Sequence, residues 1–276
     1  MKSIISTLFF VLIFTLNVQA QNFQDHFKNK TLRIDYIFSG NANSQSIFLD
    51  ELAELPTWSG RHHHLSEIPL KGNGEILMKS LSKKEIIYRT SFFSLFQEWV
   101  LTEEANNISK AFENTFLVPY PMEPVEIEII LYDNLHKTSA TMKHIVRPDD
   151  ILIRKKGYTN ITPHKFLLKS GSEENCINVA ILAEGYTKEE MNIFRNDALS
   201  AMESLFNHEP FKSMKDRFNI IAVESPSIDS GVSIPGKNQW KLTAFGSHFD
   251  TFYSERYLTT TRVKAIHDAL AGIPYE

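Results

Sequence analysis

Alternation of apolar and polar residues at every second position constrains this chain more than any other feature, because a strand with one buried face requires it. Thr31 to Phe38 sets Leu32, Ile34, Tyr36 and Phe38 on one side and Arg33 and Asp35 on the other. Val125 to Leu131 is the clearest case, with Glu126 and Glu128 between Val125, Ile127 and Ile129. Gly74 to Leu81, Glu85 to Thr90, Lys110 to Val118 and Thr138 to Val146 repeat the theme, separated by turn residues. Short strands at such spacing predict a β-sandwich of immunoglobulin-like size. Cys176 is the single cysteine, so no intrachain disulfide staples that sandwich and its stability has to come from its core.

The pattern changes after Ile151-Leu152-Ile153. Arg154 to Asn160 is basic, polar and Gly-containing, and Ser170-Gly171-Ser172 follows. The expected organisation is a sandwich domain over 21–156, a linker over 157–174 and an α/β domain from 175 to 276. In the last part, Asn178 to Leu182 is an apolar run leading into Glu184-Gly185-Tyr186. Thr187 and Glu190 stand at capping-box spacing, and Met191, Phe194, Ala198, Met202 and Leu205 then recur at helical intervals until Asn207 and Pro210. Phe218 to Val223 supplies another strand, so strand, helix and strand follow in order and predict a βαβ unit with parallel pairing. Ser225 to Tyr253 is a long loop, of a length that usually carries function. A final helix begins near Thr260 or Thr261 and turns Val263, Ile266 and Leu270 inward.

The N-terminus points to export. Lys2 precedes an apolar stretch from Ile4 to Leu16, and Val18-Gln19-Ala20 offers small residues where a signal peptidase cuts. Residues 1–20 are therefore expected to be a cleaved secretory signal, since the stretch is shorter than the ~20 residues that span a bilayer. The mature chain is expected in the periplasm, at the cell surface or outside the cell, with no membrane span. A formal net charge of −4 at pH 7 gives no reason to expect nucleic acid or an anionic membrane as partner.

Several side chains invite a chemical reading. Cys176 heads an apolar run and has no basic neighbour in Glu174 or Asn175, so it reads as buried packing. Arg61-His62-His63-His64 suggests metal, but consecutive residues of an extended segment alternate sides and cannot converge, so an exposed loop or edge strand is expected. Glu184, at a strand-to-helix passage, either lines a cleft at the sheet's carboxyl edge or caps a backbone turn beside Gly185. His248 and Asp250, with Ser247 close by, could orient a water or a metal, yet two ligands fall short of the three that catalytic zinc needs. His267-Asp268 lacks His-Glu-x-x-His spacing and reads as a solvated turn of helix. Glu184, Ser247, His248 and Asp250 are thus cleft candidates, with no catalytic residue and no metal ligand assigned.

Trp58-Ser59-Gly60-Arg61, Thr90 to Trp99, Phe112 to Pro119 and Asp150 to Arg154 resemble the N-terminal β-sandwich of IgA-peptidase-type zinc metallopeptidases. Leu182 to Thr187, Glu209-Pro210-Phe211, Ser230 to Ser233 and Thr243 to Tyr253 resemble the first half of their peptidase domain. The resemblance implies a zincin-like α/β domain, zinc as cofactor of the full-length family member, and a protein or glycoprotein substrate. It also implies that zinc is held by a His-Glu-x-x-His helix and a further acidic residue. No His-Glu-x-x-His occurs here, and Glu184 stands where the family pattern has Asp. The expectation is an incomplete peptidase domain, from a truncated gene model or a natural short form, binding no zinc and inactive alone. The alternative is a secreted, non-catalytic sandwich module that binds a protein or glycan.

Overall fold

The computed structural model describes residues 22–68 and 70–275; the expected signal at 1–20 lies outside them. The first part of the chain forms strands β1 (Phe27–Gly40), β2 (Gln45–Leu55), β3 (Gly74–Ser80), β4 (Ile86–Phe92), β5 (Lys110–Pro121), β6 (Val125–Tyr132), β7 (Thr138–Val146) and β8 (Arg154–Lys155), with a short helix α1 (Leu95–Trp99) between β4 and β5. They make two four-stranded sheets, in the orders β5-β1-β2-β8 and β4-β3-β6-β7. The alternating residues decide how the sheets meet. Leu32, Ile34, Tyr36 and Phe38 of β1 join Ile76 and Met78 of β3 and Ile127, Ile129 and Leu131 of β6 in one buried cluster. Each such side chain stabilises the fold by about 1.5–3 kcal/mol on burial. Helix α1 begins at Ser94, whose Oγ accepts the Gln97 N–H at 3.2 Å, and it drives Phe96 and Trp99 into the same core. The N-terminal part is therefore a β-sandwich.

Strand β2 did not emerge from the alternation, and the register explains why. Asp35 pairs with Glu51 and Tyr36 with Leu49, so Asp50 is an extra residue in β2 and the period is broken there.

The second part forms β9 (His164–Lys169), β10 (Ile177–Leu182), helix α2 (Met191–Phe206), β11 (Phe218–Val223) and helix α3 (Val263–Ala269). Strand β11 is central and wholly buried, parallel to β10 as expected of a βαβ unit and antiparallel to β9. β9 lies within the stretch expected to be linker, so 157–174 is partly sheet. Met191, Phe194, Ala198, Met202 and Phe206 of α2 cover one face of this sheet. Ile266 of α3, with Leu270 and Ile273, packs on Ile221 and Val223 at the other face. Among the described residues no helix is long and apolar enough to cross a membrane.

Two expectations need correction. The His267-Asp268 turn is not simply solvated: the His267 ring is bonded to Tyr275 Oη at 2.6 Å, and burial pushes its pKa down to about 3. Asp268 joins an ionic cluster with Arg33 and Lys156, each at 2.7–2.8 Å. Ile266 of α3 faces the third sheet, while Val263, expected to turn inward, is not part of that core; the helix's other side lies along β5 and reaches Arg33 of β1. Cys176 is half-buried rather than buried, and its Sγ borders a cavity of about 620 Å³ beside Arg61 and Arg217.

Candidate functional site

Strands β10 and β11 run parallel, so their carboxyl ends open on the same side, and the segments that follow them meet there. Ala183 N–H donates to Val223 O, Ser225 Oγ to Ala183 O, and Gly231 N–H to Gly185 O at 2.7 Å. Gly185 has a φ of +77°, and a Cβ there would sit 2.7 Å from Gly231 O, so both backbone sign and space require glycine. The start of α2 is tied into the same junction. Glu190 accepts the Thr187 N–H at 2.8 Å, closing the expected capping box, and its other oxygen accepts Ser230 Oγ–H at 2.8 Å. Arg195 grips Glu224 with two bonds of 2.7 and 2.9 Å, a bidentate pair joining α2 to the end of β11.

Glu184 organises the long loop. Its carboxylate accepts Thr243 Oγ1–H at 2.7 Å, Phe245 N–H at 2.9 Å and Ser247 N–H at 2.8 Å. Those bonds consume both oxygens and fold 243–247 onto the end of β10, so of the two sequence readings the turn-capping one describes its contacts. Ser227 does the same from the β11 side: its Oγ accepts Gly185 N–H at 2.9 Å and Ala244 N–H at 3.0 Å. Ser227 escaped notice in the sequence, and Ser230 was read only as part of a family-like run, because their partners lie about forty residues or a loop away and no local pattern marks their roles.

The four candidates do not form one constellation. Glu184 and Ser247 meet through the Ser247 backbone, whereas His248 and Asp250 border a separate cavity of about 360 Å³ against the sandwich, with Glu104 and Lys110 opposite. His248 Nδ1 lies 2.6 Å from Phe249 O and Asp250 Oδ2 accepts Gly236 N–H at 2.7 Å, so each ring or carboxylate is partly committed to backbone. Two larger cavities lie elsewhere, between 59–67 and 174–177, and hold no convergent reactive set. There Arg61 donates to Leu65 O and Arg89 O, His64 bonds Glu67, and the His62 ring rests 4.2 Å from Phe23, where burial lowers its pKa. His63 and His64 are exposed as expected for a loop.

Two family models cover this architecture in sequence. The one for the Peptidase M64 N-terminus matches residues 22–143, and the one for IgA Peptidase M64 matches 165–276. The chain belongs to the IgA peptidase M64 family. The first match of this M64 chain falls on the sandwich, and the second begins within β9 and runs through the loop held by Glu184. No curated protein matches the chain. M64 peptidases are metallopeptidases, which implies zinc in the full-length family member. The residues described here do not fit that ion, since no group of three or more His, Cys, Asp or Glu side chains among them is placed to hold a metal.

Proposed function

We propose that this M64 chain is part of a secreted zinc peptidase that hydrolyses peptide bonds of an extracellular protein or glycoprotein, and that residues 21–276 contribute its sandwich and the scaffold side of its cleft. In this reading the third sheet is one portion of a zincin-like α/β domain. The junction of Glu184, Gly185, Ser227 and Gly231 is a wall that holds the loop in place, and neither the zinc ligands nor the base that activates water belongs to these residues. Alone, they cleave nothing.

The observation that carries this is the pair of family matches in chain order, the second spanning the β10–α2–β11 unit. Open α/β sheets hold their ligands at the carboxyl ends of parallel strands, where the Glu184 junction sits. The test is the coding sequence downstream of codon 276. A continuous frame with a His-Glu-x-x-His motif supports the peptidase reading; a stop followed by an unrelated gene overturns it in favour of a secreted module that binds protein or glycan. N-terminal sequencing of the exported protein tests the compartment, with Gln21 as the expected first residue.

A further inference from the structure

The turn after His248 adopts a backbone that bulky residues rarely take. Asp250, Phe252 and Tyr253 have φ of 58°, 52° and 62°. That is the left-handed region, uncommon outside glycine and costliest for large side chains, and it persists only where the surroundings impose it. Here the surroundings are the sandwich. Tyr257 Oη donates to Glu98 Oε2 at 2.7 Å and Tyr253 Oη donates to Glu104 Oε1 at 3.2 Å. Glu104 is fixed in turn, because its other oxygen accepts Trp99 Nε1–H at 2.7 Å and Lys110 Nζ–H at 2.5 Å. Phe252, just before Tyr253, packs against the sandwich core.

The base of the turn carries two cleft candidates. His248 exchanges both backbone hydrogen bonds with Thr259, and Asp250 is tied to Gly236. A carbonyl only accepts, so the neutral His248 ring that contacts Phe249 O carries its proton on Nδ1, leaving Nε2 as the acceptor. A turn relaxed to negative φ would swing Asp250, whose own φ is 58°, and would pull on His248 two residues before it.

We infer that Glu98 and Glu104 are positioning residues: by clasping Tyr257 and Tyr253 they hold the 250–257 turn in its left-handed form and so fix how His248 and Asp250 face their cavity. The sandwich then sets the geometry of a loop that belongs to the other part of the fold. This does not depend on the peptidase reading, because it concerns geometry and not turnover.

The test uses the whole chain with Glu98→Ala, Tyr257→Phe and Tyr253→Phe, which spare the bonds that Trp99 and Lys110 donate to Glu104. Hydrogen exchange of Ser247 to Tyr257 amides should quicken about threefold or more, the size expected of a bond to a charged group that solvent partly screens. Strand amides of the sandwich and of the third sheet should not change. Nitrogen NMR of the His248 ring, assigned by its disappearance in His248→Gln, should lose its Nδ1–H signature in the same variants. Glu98→Ala combined with Tyr257→Phe should be no worse than either alone, since both remove the same bond. Unchanged loop exchange with an unchanged His248 ring overturns the inference. A uniform rise across all strands also overturns it, because the carboxylates would then serve general stability alone.

Discussion

Arg33 Nη1 lies 2.7 Å from Asp268 Oδ1, joining the outward side of a sandwich strand to the helix that covers the third sheet. Arg33 is fully buried, its Nε and Nη2 held by Asp35 at 2.8 and 3.0 Å, and Asp35 also accepts Thr115 Oγ1–H at 2.7 Å. Lys264 and Lys156 extend the cluster to Asp50 and Glu51.

Breaking this contact from its two ends should have unequal effects. Arg33→Met strands Asp35 in a buried site and should destabilise by about 3 kcal/mol or more, the usual result of removing one member of a buried pair. Asp268 is half-exposed, so solvent screens it, and Asp268→Asn should cost about 1 kcal/mol or less. Urea unfolding measures both. Equal losses would mean that the cluster is not buried as described.

Acid should destabilise the fold in two stages. His267 and His144 titrate at about 3 and about 4 in the folded chain against 6.5 for free histidine, in both cases because burial disfavours the charged ring. Between those values and 6.5 the unfolded chain binds more protons. Their contribution is therefore complete above pH 6.5 and is lost as pH falls, at about 1.4 kcal/mol per pH unit for each ring. Burial alone would raise Glu51 and Asp268, yet bonds from Lys264 and Lys156, and from Lys156 and Arg33, hold both below their ordinary values of 4.5 and 3.8. Their share is present above those values and disappears below them. Unfolding free energies measured from pH 7.5 to 4.5 should slope downward, and His267→Gln should flatten the slope.

Glu184→Ala should free the long loop. It leaves the buried Phe245 amide and the half-buried Ser247 amide without their acceptor, at a cost of about 1–3 kcal/mol for the first and less for the second. Limited proteolysis should then cut within 225–262 while the sandwich resists. Persistence of the wild-type cleavage pattern would remove Glu184 as the organiser.

The half-buried Cys176 should react with a thiol reagent in the native state. A thiol that reacts only in urea would restore the buried site expected from the sequence.

Where a pattern is local, the sequence reveals it. Val125 to Leu131 alternates and is β6, and Thr187 with Glu190 closes its capping box. Arg33 and Asp35 misled in a specific way: charged residues at alternate positions suggest a solvent face, and only the packing of α3 turns that face into an interior. Strand β9 has no alternation because one edge strand of a short sheet tolerates lysines at Lys165 and Lys169. The cleft candidates were legible as polar residues in a long loop, but their separation into two groups depends on contacts between Glu184 and Ser247 sixty residues apart.

The proposed function requires these residues to form a peptidase scaffold without a catalytic metal site of their own. Elemental analysis of purified residues 21–276 equilibrated with zinc, paired with a protein-substrate assay, tests this most directly. No stoichiometric zinc and no cleavage are expected; stoichiometric zinc with proteolysis abolished by a chelator would contradict the proposed function.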